Sequence, residues 1–232
     1  MNIKVIYEDD DILAIDKPAH IETIVSSNKD KTIEDIFGVK NVTGHGIVHR
    51  LDKDTSGVMV IAKNDNARQN IQKQFKDRTT NKLYIALVFG STKKQDIIKS
   101  YIARDSKRNQ AMKSISFLTG LERGKPRLAE THYKKINTYK IGDNEFSLLE
   151  VNIKTGRTHQ IRVHMQSIGC PILGDKMYNT KLSKNISEKL GIKRQFLHAK
   201  EIEINHPSSG KRIKFESPLP DDLQITDKLS IN

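Results

Sequence analysis

At 232 residues the chain has room for one full core, and with 36% hydrophobic and 29% charged residues it reads as a soluble globular protein. Forty Lys+Arg against 28 Asp+Glu leave a net charge of +12, which favours a polyanionic partner, nucleic acid first, because each neutralised phosphate releases counterions. The single cysteine, Cys170, excludes an internal disulfide and a thiolate-rich zinc site, and no apolar run approaches the roughly 18 residues of a membrane span. The alternating start Met1-Asn2-Ile3-Lys4-Val5 lacks the apolar block of a signal peptide, so cytoplasmic residence is expected.

Residues 3–7 and 11–16 alternate apolar and polar around Asp9-Asp10, which predicts a short hairpin ended by Lys17-Pro18-Ala19-His20. Residues 32–38 predict a short helix with Thr32 as N-cap, and Gly44-His45-Gly46 breaks the chain after it. The run Val58-Met59-Val60-Ile61-Ala62 predicts a buried strand. A helix then runs from an Asn64 or Asp65 cap to about Arg78, with Ala67, Ile71 and Phe75 on one face. Strands are expected at 83–89, 97–102, 113–118, 129–139 and 146–153, with turns near Gly124-Lys125-Pro126 and Gly142-Asp143-Asn144. A helix is expected from Thr155-Gly156-Arg157-Thr158 through about Ser167, stopped by Gly169. The polar stretch 176–195 reads as a loop with one weak helix, and strands at 197–204 and 212–216 close the chain. The expected fold is α+β: a single domain, 1–232, on a mixed, mostly antiparallel sheet with flanking helices and loops.

Chemistry concentrates in His49-Arg50-Leu51-Asp52-Lys53-Asp54-Thr55-Ser56-Gly57, just before the buried strand. A carboxylate at the mouth of such a strand is costly unless something pairs with it. Asp52 is therefore a candidate catalytic acid, though an acid before Thr-Ser-Gly equally serves to cap a turn or pair with Arg50. Asp54 competes for the turn role. Taken together, Asp52 and Asp54 could be a carboxylate pair for glycoside hydrolysis, but a strongly basic chain suits a polyanion better than a neutral glycan. Tyr84, inside the aliphatic run Leu83-Tyr84-Ile85-Ala86-Leu87-Val88-Phe89, needs a partner for its hydroxyl or a ligand to stack on. Arg157 and Arg162, five apart around a helix start, form a natural anion site. His45 and His49 are four apart without the acid of a zincin-like motif, so no metal is expected.

His49-Arg50-Leu51-Asp52-x-x-Thr55-Ser56-Gly57 resembles the signature of the RluA-type pseudouridine synthases, which isomerise uridine to pseudouridine within RNA. Two further blocks are similar to that family: Lys82-x-Tyr84-x-Ala86-x-Val88-x-Gly90, and Gly156-Arg157-Thr158-His159-Gln160-Ile161-Arg162-Val163-His164. Gly169-x-Pro171-Ile172-x-Gly174-Asp175, Leu197-His198-Ala199 and His206-Pro207 extend the likeness over nearly the whole chain as structural blocks. The resemblance implies a pseudouridine synthase fold, an RNA substrate (ribosomal RNA favoured, transfer RNA second) and no cofactor. It implies catalytic roles for Asp52, for Tyr84, which packs on the target base, and for Arg162, which pairs with Asp52. It further implies substrate contacts at Arg50, which fills the space of a flipped base, and at His49 and Arg157. One departure is His20, where the family block Lys-Pro-Ala continues with glycine. Charge alone suggests that helix 65–78 and the lysines of 176–194 follow an RNA backbone. A monomer is the default, and a non-catalytic RNA-binding protein is the alternative that explains the charge but not the acid-centred motif.

Overall fold

The hairpin forms where the alternation places it, as β1 (Lys4–Glu8) and β2 (Ile12–Lys17), with Asp9 accepting from the amides of Asp11 and Ile12 to close the turn. This is seen in a computed structural model that describes residues 3–24, 31–108, 110–116, 125–224 and 230–231. The chain divides into two compact units. The first comprises residues 1–83 and 198–219, and the second 84–197 and 220–232.

In the first unit β2 pairs antiparallel with β3 (Ser56–Ala62), whose seven residues are all buried. A strand covered on both faces reads as a continuous apolar run rather than an alternation, which is what residues 58–62 present. β3 joins β9 (Leu197–Asn205) in parallel at Ser56 and Gly57, and β10 (Arg212–Glu216) folds back antiparallel on β9. α1 (Ile33–Phe37) begins at Thr32, whose hydroxyl accepts from the Asp35 amide while the Asp35 carboxylate accepts from the Thr32 amide. α2 (Asp65–Asp77) is capped by Asn64 and packs Ala67 and Ile71 onto Ile12, Ala14, Val58, Val60, Ile202 and Ile204. Gln74 is the polar member of that buried face. Its amide exchanges two hydrogen bonds with the Asn205 backbone, 2.7 and 2.8 Å, so the helix also fixes the end of β9.

In the second unit the strand order is β4 (Asn81–Phe89), β8 (Asn144–Ile153), β7 (Arg127–Ile141), β5 (Gln95–Arg104), β6 (Met112–Ile115), and β11 (Ser230–Ile231) pairs β7. The pairs β8–β7, β7–β5 and β5–β6 are all antiparallel. β7 and β8 turn at Gly142-Asp143, where Gly142 takes a positive φ of 55°. α3 (Gln160–Ser167) lies against β6 and β7, and α4 (Lys181–Lys189) is the short helix inside the polar stretch, started by a Thr180–Ser183 capping box.

Two expectations need correction. The helix foreseen from Thr155 starts only at Gln160, because the side chain of Gln160 folds back to accept from Thr155 Oγ1 and the Arg157 amide, which holds 155–159 as a loop. The strand foreseen at 113–118 ends at Ile115, with residues 117–124, including part of the turn expected near Gly124, outside the described residues.

Candidate active site

In the first unit His49, Arg50 and Asp52 stand on one loop between the 3₁₀ turn Thr43–Gly46 and β3. Asp52 is half-buried, and its carbonyl accepts from the Thr55 amide at 3.0 Å, closing a turn over Lys53-Asp54. Leu51 anchors the loop. Its side chain is buried, and its backbone exchanges two hydrogen bonds with Thr23 Oγ1, 3.0 and 3.3 Å. From the other side the fully buried Lys17 donates from Nζ to the carbonyls of Pro18, Ile21 and Lys53, at 2.8, 2.8 and 3.1 Å. An ammonium taken out of water needs such acceptors, and here they tie the loop that bears Asp52 to the end of β2. His20 adds a surface tie, with Nδ1 2.8 Å from Asp54 Oδ1, and does so at φ 68°, a left-handed conformation that favours glycine.

Arg50 is exposed beside Asp52. His49 turns toward the core: the Val60 amide donates to its Nε2 at 2.9 Å, and its ring lies 5.1 Å from that of Phe75. Burial, then the nearby Lys82 ammonium, push His49 down to about 3, so the imidazole is neutral and can accept that bond. Ser56 and Gly57 have a backbone task. A Cβ on Gly57, at φ 122°, would lie 2.2 Å from the Ala199 carbonyl oxygen, so only glycine permits the parallel join to β9. Ser56 Oγ bonds Nδ1 of the buried His198 (3.0 Å), whose Nε2 donates to the Ser217 carbonyl (3.0 Å).

In the second unit Tyr84 is buried near the start of β4, on the same face as Ala86 and Val88. Arg162, in the first turn of α3, is almost fully buried. It binds Asp175 at two points, Nε to Oδ2 at 2.6 Å and Nη2 to Oδ1 at 3.1 Å, and its guanidinium lies 5.0 Å from the centre of the Tyr178 ring. Burial alone would raise the Asp175 carboxyl. The Arg162 guanidinium and the amides of Tyr178 and Met177 outweigh it and hold Asp175 below the usual carboxylate range. Arg157 precedes the helix, with Nε on the Leu128 carbonyl at 3.2 Å. Gln160 is satisfied at both ends, its amide nitrogen donating to the Glu130 carbonyl and Thr131 Oγ1.

Sequence reasoning missed the roles of Lys17, Thr23 and Gln160. The signal for Lys17 was its place in the Leu13-Ile15-Lys17 alternation, which puts it on a buried face. Thr23 carried no such signal. Asp175 stood in a block read as structural, and its ion pair with Arg162 follows from no spacing rule.

A family model described as RNA pseudouridylate synthase matches residues 11–167, which contain Asp52, Tyr84 and Arg162. The chain belongs to the RNA pseudouridylate synthase family. It is 36% identical to the ribosomal large subunit pseudouridine synthase D of Zymomonas mobilis over 98% of this chain and 72% of that protein. It is 35% identical to the protein of the same name from Pseudomonas aeruginosa, over 96% of this chain and 70% of that one. Among solved structures, human RNA pseudouridylate synthase domain containing 1 matches with a TM-score of 0.76 at 24% identity, covering all of this chain and 89% of its own, so the pseudouridine synthase fold is shared. An RNA-directed isomerase is thus shown. Among the described residues no helix is long and apolar enough to cross a membrane.

Proposed function

We propose that the chain converts uridine to pseudouridine in the large ribosomal RNA of the cytoplasm, with Asp52 as the essential carboxylate and no cofactor. The supporting observation is the rigidity of the Asp52 loop, held by Lys17 Nζ on Lys53, Thr23 on Leu51 and the Thr55 amide on Asp52. A loop backbone held in this way presents its carboxylate without reorganising the chain around it. The names of the relatives from Zymomonas mobilis and Pseudomonas aeruginosa support ribosomal RNA as the substrate.

The reaction breaks the N1–C1′ bond of uridine, turns the freed uracil and joins C5 to C1′. The proton lost from C5 is balanced by one gained at N1, so the RNA mass is unchanged. The uridine must first leave its helix, at a cost of a few kcal/mol. Exposed Arg50 occupies the vacated stack, Tyr84 packs on the flipped uracil, and Arg162 aims Asp52. Asp175 supports that last role, because a guanidinium gripped at two points has little rotational freedom with which to present its other N–H groups.

Pseudouridine mapping of total RNA tests this in cells lacking the gene, complemented with wild type or Asp52→Asn. A large-subunit site lost on deletion and restored only by wild type is expected. Restoration by Asp52→Asn removes the catalytic role, and a lost site in transfer RNA instead moves the substrate.

A further inference from the structure

Behind the Arg162–Asp175 pair, within the second unit, lies a pocket of about 840 Å³ lined by Asp175, Lys176, Asn179, Lys184, Glu188 and Lys193, among others. Its volume suits one nucleotide-sized ligand. Residues 176–194 carry five lysines, one arginine and one acid. The arginine, Arg194, is turned inward, buried and bound at two points by Asp222, 2.6 and 2.9 Å. The lysines are exposed.

Of the two carboxylates in the lining, Asp175 is neutralised by Arg162, while Glu188 stands 4.0 Å from Lys184 with both side chains more than 60% exposed, a pair too weak to hold that lysine, so three lysines face one exposed acid. Among the described residues Lys176 and Lys193 have no carboxylate partner. Three flexible ammonium groups around a hollow recognise phosphate as point charges, without a fixed plane and without reading a base.

The framework is stiffer than the lysines it carries. Gly174 at φ 74° sits so close to the Arg194 carbonyl that a Cβ would lie 1.9 Å from it, and its amide donates to Ser187 Oγ on α4 at 2.8 Å. Asn179 Nδ2 donates to the Asp175 carbonyl at 2.8 Å. The pocket wall and the Arg162 clamp therefore share Asp175, and a ligand seated here lies next to the carboxylate that orients the candidate active-site arginine.

We propose that this pocket is a phosphate-docking site for an unpaired stretch of the substrate RNA, held by Lys176, Lys184 and Lys193 apart from the uridine being isomerised. It rests on the reading of RNA as substrate. An unpaired stretch is favoured because a hollow admits a strand with separated phosphates more readily than a rigid A-form duplex.

The test uses the full chain and an unmodified transcript of the large-subunit ribosomal RNA, with affinity measured by filter binding across a salt series. Lys176→Gln/Lys184→Gln/Lys193→Gln is compared with a charge-matched control, Lys134→Gln/Lys140→Gln/Lys211→Gln, all exposed lysines outside the pocket. The slope of log K against log salt is expected to shrink by roughly 2 to 3 in the pocket variant, at about 0.7–0.9 per released phosphate contact, and by less than 1 in the control. An equal change in both triples, or none in the pocket variant, overturns the proposal. Wild type that forms no pseudouridine on any RNA counts against the proposed function, whereas the difference between the two slopes judges the pocket by itself.

Discussion

His20 stands at φ 68°, and its ring reaches Asp54 two residues past Asp52. A non-glycine residue in the left-handed region costs about 1 kcal/mol, and an exposed pair of this kind returns at most about that much. Replacing His20 with Gly therefore relieves backbone strain while releasing the tie. We expect unfolding free energy from urea titration to stay within about 1 kcal/mol of wild type; a loss above 2 kcal/mol would show that the tie outweighs the strain. At this scale the sequence was partly legible. The His20 departure from a glycine pattern was visible, but its positive φ and its Asp54 partner were not, because a partner 34 positions away leaves no mark in local spacing. For Lys17 the alternation Leu13-Ile15-Lys17 marks the buried face, but not the carbonyl of Lys53, 36 positions away, that its ammonium reaches.

Elements with strong local signals were read well. The hairpin about Asp9-Asp10, α1 with its Thr32 cap, α2 with its Asn64 cap, and β10 at 212–216 fall where pattern and capping chemistry put them. α3 was read five residues too early, because a Thr-Gly-Arg-Thr start resembles an N-terminus. The deciding interaction is Gln160 reaching back to Thr155, a competition between side chain and backbone that periodicity does not register. α4 was read only as a weak helix, since its apolar face is short and its capping residues are Thr and Ser rather than Thr and Glu. Thr180 accepts from the Ser183 amide, and the Ser183 side chain accepts from the Thr180 amide in return. Thr180→Ala removes one side of this box and is expected to cost about 1 kcal/mol, raising amide hydrogen exchange across Lys181–Lys189 roughly fivefold. Unchanged exchange there would mean that packing of Ile186 and Ser187, not the cap, holds the helix.

For the molecule as a whole, acid stability is tied to imidazoles kept neutral by burial. His164 is fully buried between Ser100 Oγ and Thr131 Oγ1, 3.0 and 2.8 Å away, and burial pushes it down to about 4. Between about pH 6.5 and pH 4 the unfolded chain takes up a proton at this residue and the folded chain does not, so stability falls as pH falls through that window. The folded ring titrates at the lower end, and its contribution to the slope then levels off. His164→Asn is expected to flatten the plot of unfolding free energy against pH in that window by up to one proton, about 1.4 kcal/mol per pH unit. An identical slope in the variant would show that His164 is not responsible. The α+β class and the family were legible at whole-chain scale because motif, charge and strand pattern agree. The placement of the pocket beside Asp175 was not, since it depends on how residues 174–194 fold back on one another.

The join between β3 and β9 has a consequence in time. Ser56 and His198 are 142 positions apart, yet the strand that follows the Asp52 loop is completed only when they meet. At about 5–20 residues per second on the ribosome, roughly 7–28 s separate their synthesis. Throughout that interval a nascent chain displays the Asp52 motif without the β9 backing that its Gly57 is shaped to receive. The long-range pairing that slows folding thus also postpones completion of the strand behind the Asp52 loop until β9 has been synthesised.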